Sequence, residues 1–529
     1  MAGISEIPVW RKYALTLGKA GCEDLQTIVV VGAGPVGLTL ALDLALKGHS
    51  VTVLNRLDFI PAGSKAICFA RRSLDIWNRM GVAQSIVAEG VQWDVGKVFW
   101  RDAHEPIYQF DLRNSVEVQM PSFVNIPQYR VEELLVERLC KLPNVDLRWG
   151  HEVVSASTRQ SDARIEVKAP DGTYTIGTEW LLACDGSRSP LRNMLGLAFE
   201  GRVFEDNFLI ADIRIKQDRV PERWFWFDPP FNPQKSALLH KQPNDIWRID
   251  FQLGWKIDRE KWLRDEPVES LIQSFLGPKV PFEKEWYSVY TFQCRRMQRF
   301  VHGRIVFAGD SAHLVSPFGA RGCNGGIADA DNLAWKLDMI IKRTASRELL
   351  ESYNEEATAT ADENICHSTR ATDFMTPKSA GSEALRDAVL WLARDNEFAR
   401  EFVNSGRLSS AVNYPYSSLS SNDSEPWASN AAPGSPAPDA PVDTGWLLAA
   451  LGNRFALLSD GYEGRLPPGI TSLRVDRVID GGQRIRHLYD LTPGSAYLIR
   501  PDQYVAARWR EPCFESIEAA LMRATGGVS

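Results

Sequence analysis

The strongest constraint on the fold is a glycine-rich turn that joins a short apolar strand to a helix. Residues 29–37 read VVVGAGPVG, which places Gly32, Gly34 and Gly37 in the spacing G-x-G-x-x-G. The β-branched run before the turn predicts a buried strand, and helical spacing follows it over 38–46. A second strand at 50–54 completes a βαβ unit, the context in which this spacing indicates dinucleotide binding.

Each part of this motif has a mechanical reason. The first glycine makes the tight turn, the second lets the backbone approach a pyrophosphate, and the third lets helix and strand pack closely. Pro35 and Val36 open a helix whose N–H groups favour phosphate. Asn55 and Arg56 stand where an acidic ribose ligand is usual. Asn55 can accept a ribose hydroxyl bond without charge, whereas Arg56 could stack on adenine, pair with phosphate or lie in solvent.

Composition excludes several functional classes. The chain has 529 residues, enough for three to four domains, with 44% apolar and 24% charged residues, as in globular proteins. Its net charge of −7 disfavours nucleic-acid binding. The eight cysteines include no C-x-x-C pair, so we expect neither a zinc ribbon nor a redox pair, and a reducing, cytoplasmic compartment fits. The 17 tryptophans suit either large cores or a cavity for a planar apolar ligand.

One apolar run, from Thr27 to Leu46, is long enough to be weighed as a membrane span. It contains three glycines, a proline and Asp43, and it splits into a strand pattern and a helix pattern. The N-terminal segment lacks the continuous apolar core of a signal peptide. We therefore expect a soluble protein with no membrane partner.

The pattern of predicted elements along the chain indicates an α/β fold whose first domain is discontinuous. Alternating strands and helices are followed by strands separated by proline-rich turns, and then alternating strands and helices begin again. A Ser- and Pro-rich stretch then predicts an exposed linker before further strand-like runs. The predicted units are a Rossmann-like domain at 25–200 and 296–408, with some second-domain strands near 95–122, a β-rich substrate domain at 201–295, a linker at 409–441 and a small third domain at 442–529.

Two further motifs lie in the strand–helix texture. Residues 184–192 fit the pattern D-G-x-x-S-x-x-R. Residues 309–337 run from a strand through a glycine-rich loop into a helix. Asp310 ends that strand, where a carboxylate can bond polyol hydroxyls, and Asn324 is expected to cap the helix. His313 in the loop fits a structural hydrogen-bonding role better than an acid–base role.

These three motifs, in this order, resemble those of the class A flavin-dependent aromatic hydroxylases, which are single-component FAD monooxygenases. The resemblance covers about residues 25–375, and the third motif is its most specific part. The most similar branch is that of phenol hydroxylase and 3-(3-hydroxyphenyl)propionate hydroxylase, which carries a C-terminal thioredoxin-like domain. The likeness implies such a domain at 442–529, without redox activity because C-x-x-C is absent, and with a role in packing or in a homodimer.

The resemblance also implies an FAD site and its residues. In it, Gly32, Gly34 and Gly37 hold the pyrophosphate. The other implied contacts are Lys65 where a pyrophosphate-facing arginine is usual, Gln128 at the phosphate–ribitol region, Asp185 in a motif shared with the nicotinamide coenzyme, Asp310 at the ribitol, Pro317 beside the reactive carbon of the isoalloxazine, and Gly322, Cys323 and Asn324 at its pyrimidine edge.

The family chemistry implies reduction of FAD by NADH or NADPH, addition of O₂ to give a C4a-hydroperoxyflavin, and hydroxylation of a phenolic ring. A base within hydrogen-bond reach of the phenol would make the ring more nucleophilic. The candidates for substrate contact are Trp224, Trp226 and Trp247 as pocket walls, which could equally fill a core, and His240, Asp250 and Tyr290 as bases, for each of which a structural role is the stronger interpretation.

Three alternatives stay open. A flavin-dependent halogenase is one, because residues 224–229 partly match the signature W-x-W-x-I-P, with Asp228 in the isoleucine position. A pyridine-nucleotide disulfide reductase is disfavoured by the missing C-x-x-C pair. A catalytically inactive flavin-fold scaffold would keep the motifs without the chemistry.

Overall fold

The computed structural model describes residues 8–18, 22–63, 65–113, 117–216, 220–404, 408–423, 425–443, 445–479 and 481–527. Residues 1–7 and 19–21 of the N-terminal segment, where we expect no signal peptide, lie outside these ranges. Among the helices of the described ranges, none combines the length and the apolar character that a membrane crossing needs.

The elements follow one another in the order that the sequence texture indicates. The strands are β1 (Val9–Lys12), β2 (Cys22–Val31), β3 (Val51–Asn55), β4 (Phe59–Pro61), β5 (Cys68–Ala70), β6 (Val91–Gln92), β7 (Val95–Trp100), β8 (Tyr108–Asp111), β9 (Phe123–Asn125), β10 (Val145–Trp149), β11 (Glu152–Thr158), β12 (Ala163–Ala169), β13 (Gly172–Ala183), β14 (Glu200–Arg214), β15 (Arg223–Phe227), β16 (Ser236–Lys241), β17 (Ile246–Gly254), β18 (Glu283–Arg296), β19 (Val301–His302), β20 (Ile305–Phe307), β21 (His313–Leu314), β22 (Pro441–Val442), β23 (Gly445–Trp446), β24 (Ala456–Ser459), β25 (Thr471–Arg474), β26 (Ala496–Ile499) and β27 (Val505–Trp509). The α-helices are α1 (Pro35–Leu46), α2 (Arg71–Arg79), α3 (Ala83–Glu89), α4 (Gln128–Leu139), α5 (Pro190–Met194), α6 (Asp265–Leu276), α7 (Arg321–Ile341), α8 (Leu349–Met375), α9 (Ala380–Ala393), α10 (Glu397–Asn404), α11 (Leu447–Leu451), α12 (Gly482–Tyr489) and α13 (Phe514–Ala524).

The first sheet has the parallel centre of a Rossmann-like domain. Strands β10, β3, β2 and β13 lie side by side in parallel, and β20 pairs in parallel with the end of β13. Ile28, Val29 and Val30 of β2 are fully buried, as expected for a strand covered on both faces. Because parallel strands end at one edge, the loops after β2, β13 and β20 meet there.

The second sheet separates two apolar layers. Its order is β21-β18-β14-β17-β16-β15-β7-β8, so two strands from residues 95–111 join those of 200–296. We define the inner face by the cluster that includes Phe208, Phe225 and Phe292, which also contains Phe318 of the third motif. The outer face, with Leu209 and the other side chains of its cluster, packs on helix α6. The alternation of side chains along each strand therefore decides which residues face the third motif.

The C-terminal domain has the thioredoxin-like arrangement that the resemblance implies. Its sheet order is β25-β24-β26-β27, with β24 and β25 parallel and the other pairs antiparallel. The last helix, α13, buries Ile517, Ala520 and Ala524. These contacts give the domain a core of its own, so disulfide chemistry is not needed for its packing.

The segment at 409–441 is irregular, as its composition predicts, but it is not exposed throughout. Val412, Tyr414 and Leu419 are buried. The Tyr414 hydroxyl lies 2.8 Å from that of Thr360 in α8, and the Tyr504 hydroxyl donates to the carbonyl oxygen of Val412 at 2.9 Å. The expectation of an exposed linker is wrong for these residues, because the few large side chains of the segment pack between α8 and the C-terminal domain.

Candidate active site

The first glycine motif forms an open turn between β2 and α1. Gly32 has φ +107°, and a Cβ there would lie 2.3 Å from the carbonyl oxygen of Cys184. A Cβ on Gly37 would lie 2.0 Å from the carbonyl oxygen of Gly32, so both positions require glycine. A Cβ on Gly34, in contrast, would meet no atom within 4 Å. This open space at a helix N-terminus fits a pyrophosphate.

The two residues after Gly34 shape the same turn. Pro35 is the first residue of α1, where its missing N–H costs nothing. Val36 packs against the third motif, because a Cβ on Gly309 or Gly326 would lie 2.8 Å or 2.6 Å from its Cγ2 atom. The glycines of the third motif therefore allow a close approach of helix α7 to the first motif.

Asn55, at the end of β3, supports the glycine turn directly. Its Oδ1 atom accepts the N–H of Ala33 at 3.1 Å, and its Nδ2 atom donates to the carbonyl oxygen of Leu57 at 3.0 Å. A neutral amide can make both bonds at once, which a carboxylate cannot. The predicted ribose contact would come in addition to this structural role. The neighbouring Arg56 is exposed, and its contact with adenine or phosphate stays a prediction.

Two acids and one lysine line the space beyond the turn. Gln128 accepts the N–H of Ala66 at 3.0 Å and donates to Glu132 at 2.8 Å. Burial raises the pKa of Glu132 to about 7, while the charge of Lys65 lowers it in part. Asp310 is exposed toward solvent, but desolvation by the surrounding protein atoms raises its pKa, again opposed by Lys65. Sequence reasoning missed Glu132, although it lies one helical turn after Gln128 on the same face of α4.

The second motif is held together around Asp185. The Oδ2 atom of Asp185 accepts the N–H of Leu191 at 3.0 Å, and Ser189 caps helix α5 by accepting the N–H of Arg192 at 3.0 Å. Burial raises the pKa of Asp185, and its Oδ1 atom is buried with no hydrogen-bond partner among the described residues. An unpartnered buried carboxylate oxygen fits a site that a ligand hydroxyl completes.

The third motif enters helix α7 through two left-handed residues. Gly319 has φ +106°, and Ala320, the N-cap residue, has φ +55°. The prediction that Asn324 caps this helix is wrong, because Asn324 lies inside the first turn. Its side chain instead ties α7 to β5, accepting the N–H of Ala70 at 2.9 Å and donating to the carbonyl oxygen of Cys68 at 3.0 Å. The first N–H groups of α7 are thereby left for a ligand.

The loop before α7 rests on the inner face of the second sheet. The ring of Phe318 lies 4.8 Å from that of Phe208 and 5.3 Å from that of Phe292, measured between centroids. The preceding residue, Pro317, is exposed. The predicted flavin-contacting loop therefore presents Pro317 to the space beside the inner face.

Two further residues of the third motif have buried chemistry. His313 lies 2.6 Å from Asp329 through its Nε2 atom, and both are fully buried, which agrees with a structural role. Cys323, beside Gly322 in the first turn of α7, is partly buried, and burial together with the nearby Asp310 raises the pKa of its thiol. The thiol is therefore protonated at neutral pH and is a poor nucleophile.

A row of polar side chains crosses the inner face. Cross-strand pairing places Arg223 beside His240, His240 beside Arg248, and Arg248 beside Asp212. Arg248 donates to both carboxylate oxygens of Asp212 at 2.8 Å and to the carbonyl oxygen of Lys65 at 3.3 Å. The row thus connects the second sheet to the FAD-site loop. Sequence reasoning missed these arginines, although alternation along RWFWF and IWRIDF places them opposite the tryptophans.

The three predicted tryptophan walls lie on the other side of the sheet. Trp247 is fully buried in the outer-face cluster, and Trp224 and Trp226 pack against the same cluster. The ring of Trp226 meets that of Phe275 of α6 edge-on at 5.4 Å. The structure does not bring these tryptophans to the third motif, because their strand parity directs them toward α6. They fill a core instead of walling the cavity.

The three predicted bases all lie on the inner face. His240 is buried, and burial lowers its pKa to about 4, so the imidazole is neutral at pH 7. Its Nε2 atom is 3.5 Å from Asp250, whose Oδ1 atom has no hydrogen-bond partner among the described residues. Burial raises the pKa of Tyr290, which keeps the phenol protonated. The structure therefore places the three candidate bases on the face against which Phe318 of the third motif packs, and of the three only Tyr290 packs against the cluster that contains Phe318.

The residues of this edge fit FAD. The open turn at Gly34 suits the pyrophosphate, the carboxylates of Asp310 and Glu132 suit ribitol hydroxyls, and the start of α7 suits a flavin that carries negative charge. The model of the FAD binding domain family matches residues 24–368. The chain belongs to the FAD binding domain family.

Individual relatives agree with this membership. The chain is 26% identical over 507 residues to a flavin-dependent monooxygenase of Mycobacteroides abscessus, covering 91% of this chain and 96% of the relative. It is 28% identical over 371 residues to a 3-(3-hydroxy-phenyl)propionate/3-hydroxycinnamic acid hydroxylase of Shigella sonnei, covering 69% of this chain and 65% of the relative. A solved flavin-dependent monooxygenase in complex with FAD and substrate has the same fold, with a TM-score of 0.78, 19% identity, and coverage of 96% of this chain and 100% of that one.

These findings confirm the predicted family, the α/β fold class, the FAD cofactor and an FAD-dependent aromatic monooxygenase as the enzyme class. NADH or NADPH is the co-substrate typical of such enzymes. The halogenase alternative is not favoured by any of these relatives. The individual site residues and the domain boundaries stay predictions.

Proposed function

We propose that this flavoprotein hydroxylates a small phenolic compound in the space between residues 313–320 and the inner face. The observation that carries the proposal is the contact of Phe318 with Phe208 and Phe292, which seats the predicted flavin loop on that face. Bound FAD would accept hydride from NADH or NADPH and activate O₂, chemistry that no side chain supplies. The hydroxyphenylpropionate hydroxylase among the relatives supports a phenolic substrate.

The chain's own residues first hold and orient the cofactor. The backbone at Gly32 and Gly34 would hold the pyrophosphate, and Asp310 and Glu132 would accept hydroxyl bonds from the ribitol. The N–H groups at the start of α7 would stabilise negative charge on the ring system. The turn after β2, the loop after β20 and the start of α7 lie at strand or helix ends, and Glu132 lies within helix α4, so each contact would come from a rigid part of the fold and would position the cofactor before substrate arrives.

The apolar part of the inner face excludes water from the reaction space. Phe225, Phe227 and Leu238 are buried there with Phe208, next to the polar row. A dry cavity prevents reactive oxygen species from being lost to water before they meet the ring.

Asp250 is the best placed of the three candidate bases. Its Oδ1 atom has no partner among the described residues and its side chain is 16% exposed, whereas Tyr290 stays protonated and the side chain of His240 is only 4% exposed. We infer that the Asp250 carboxylate accepts the phenol proton and makes the ring more nucleophilic. In D250N the turnover number should fall about 100-fold or more, since an amide cannot take the proton.

The Asp250 assignment has a matched control and a rescue. D228N removes a carboxylate from the turn after β15, away from the inner face, and should keep full activity. A substrate with a more acidic phenol should restore part of the D250N activity, because it ionises without help. Equal turnover of D250N and the unaltered enzyme across pH 6–9 would contradict the assignment.

The overall activity is tested by a screen of the FAD-loaded protein. NADH and NADPH oxidation and O₂ uptake are measured with hydroxyphenylpropionates, resorcinols and hydroxybenzoates, and the products are identified by mass spectrometry. We expect at least one phenol to accelerate coenzyme oxidation and to gain one oxygen atom. Absence of any accelerating aromatic compound overturns the hydroxylase proposal, and failure to bind FAD would indicate the inactive scaffold.

We also propose a homodimer. Helices α9 and α10 expose four large apolar side chains, Leu385, Trp391, Phe398 and Phe402, each more than half exposed. Such a patch on neighbouring helices is typical of a protein–protein contact. A monomeric mass by light scattering, unchanged in the double variant W391E/F402E, would contradict it. A cytoplasmic location stays a prediction of the sequence.

A further inference from the structure

Arg223 is a buried cation with two unpartnered nitrogens. Its side chain is 3% exposed, and its Nε and Nη1 atoms make no hydrogen bond to any described residue. Its contacts are with aromatic rings, since the guanidinium carbon lies 5.1 Å from the ring centre of Phe225 and 5.7 Å from that of Trp93. Arg248 in the same row, in contrast, donates hydrogen bonds to both carboxylate oxygens of Asp212.

The position of Arg223 places it at the predicted substrate cavity. It lies on the inner face, in cross-strand register with His240, and its charge interacts with Cys68 and Asp250. The carbonyl oxygen of Cys68 accepts the side chain of Asn324, which belongs to the predicted flavin contact. Arg223 therefore lies on the same face as the inferred base and within range of the charge of Asp250, near the strand β5 to which Asn324 is bound.

A buried guanidinium without an anionic partner is costly. Burial lowers the pKa of Arg223, because the charged form is less stable away from water. The carboxylate of Asp250 is near enough for its charge to interact with Arg223, but it makes no hydrogen bond to it. A planar fork with open N–H groups matches a carboxylate or another oxyanion, which it can bind through parallel hydrogen bonds. The rings of Phe225 and Trp93 beside the guanidinium match the remainder of an aryl acid.

We propose that Arg223 binds an oxyanion of the aromatic substrate, so that the enzyme prefers acidic aromatic compounds. The inference rests on the proposed function and specifies its substrate class. Asp250 on β17 lies two strands from Arg223 on β15 and two residues beyond Arg248, which is in register with it, so the two backbones are about 12 Å apart at about 4.8 Å per strand and about 3.4 Å per residue. One small molecule can therefore present an acidic group to Arg223 and a phenol to Asp250. The oxyanion has two sources, a side-chain carboxylate or the phenolate itself.

Three probes separate these sources in the FAD-loaded enzyme. They are 3-(3-hydroxyphenyl)propionate, its methyl ester, which keeps only the phenol, and 3-phenylpropionate, which keeps only the carboxylate. Binding is measured by the change in flavin absorbance. The variants are R223M, R223K and the control K97M, which removes a cation paired with Glu222 on the outer face of the adjacent strand.

With a carboxylate as the source, R223M should weaken binding of both acids at least about 30-fold and leave the ester unchanged, since truncating a buried charge partner costs this much. R223K, which keeps the charge without the fork, should be intermediate, and K97M should have no effect. With a phenolate as the source, the ester should bind more tightly as pH rises, and only in the presence of Arg223. Either pattern supports the proposal.

The folded state gives a second measurement. Because Arg223 is unpaired, R223M should melt at the same temperature as the unaltered protein or higher in the absence of acids. A lower melting temperature in R223M, with unchanged binding of all three probes, would show a structural role and overturn the proposal. Absence of binding by any acid would overturn it as well. If R223M and the unaltered enzyme bind the acids equally and hydroxylate neutral phenols at equal rates, the preference for acids is refuted. The proposed hydroxylase activity would then stand on its own.

Discussion

Arg192 donates from Nη1 to the carbonyl oxygen of Ser311 at 2.8 Å and from Nη2 to the carbonyl oxygen of Ser187 at 3.0 Å. These two carbonyls belong to the second and third motifs. Both acids predicted to face FAD are close by in the chain. Asp185 lies two residues before Ser187, and Asp310 lies immediately before Ser311. One buried guanidinium therefore sets the distance between two parts of the FAD site that are more than 100 residues apart in sequence.

Replacement of Arg192 by methionine should loosen the FAD site. R192M loses two charge-assisted hydrogen bonds, each worth about 1.5–3 kcal/mol, and leaves two loops unanchored. We expect FAD to dissociate more readily, which the FAD-to-protein absorbance ratio after dialysis measures. The control is R188M, which removes an exposed arginine from the same loop. Equal FAD retention by R192M and R188M would contradict this role.

Two glycine substitutions should separate cofactor contact from chain packing. G34A places its methyl group in open space, so the protein should fold with unchanged stability and bind FAD more weakly. G37A places its methyl group 2.0 Å from the carbonyl oxygen of Gly32, so the fold itself should be destabilised. Urea unfolding of the FAD-free proteins and FAD titration distinguish the two effects. Normal stability of G37A would show that the turn can rearrange.

The buried cluster around Glu356 should anchor the C-terminal domain. Glu356 in α8 binds Lys336 at 2.8 Å and the Nη2 atom of Arg500 at 3.0 Å, and all three are fully buried. E356Q leaves the buried Lys336 without a carboxylate partner and Arg500 with Asp502 alone, which should cost about 3–5 kcal/mol in the free energy of unfolding. The exposed pair Arg299–Glu351 is the control, and E351Q should cost at most about 1 kcal/mol. Similar losses in both variants would exclude an anchoring role.

The same cluster predicts sensitivity to acid. Burial alone would raise the pKa of Glu356, but Arg500 and Lys336 outweigh it and hold this pKa below its usual value. The folded state therefore binds fewer protons than the unfolded state, and this stabilisation, present above the unfolded pKa of about 4.5, is lost as pH falls below it. The slope of unfolding free energy against pH in this range should be smaller in E356Q. An unchanged slope would contradict the assignment.

His240 predicts a second pH dependence in a different window. Burial lowers its folded pKa to about 4, against an unfolded value of 6.5, so the unfolded state binds more protons between these values. Stability should therefore rise as pH increases from 4 to 6.5, by up to about 3 kcal/mol from this residue. H240N should flatten that part of the profile, whereas H104N, at an exposed site, should not. Identical profiles would mean that His240 does not stay neutral.

Local patterns in the sequence were sufficient for the parts of the site that one strand, turn and helix build. The G-x-G-x-x-G turn needs glycine because neighbouring backbone atoms approach closely, and that requirement is visible in the residues themselves. Asp185 and Asp310 each follow a strand of the parallel sheet, and parallel strands end at one edge. The sequence therefore predicts that both acids lie at that edge. Asn324 shows the limit: its helix was predicted, but its partners on β5 come from a segment over 250 residues away.

The sequence by itself therefore determined the family, the FAD-binding fold and the order of the motifs. Only the tertiary structure decided which face of the second sheet meets the flavin loop. Trp224 and Arg223 are neighbours in the chain, yet the first packs toward α6 and the second toward the predicted cavity. Alternation fixes that they point apart, but the covering of one face by α6 and of the other by Phe318 and helices α8 to α10 depends on contacts between distant segments. For that physical reason the tryptophans became core and a buried arginine became the candidate for substrate recognition.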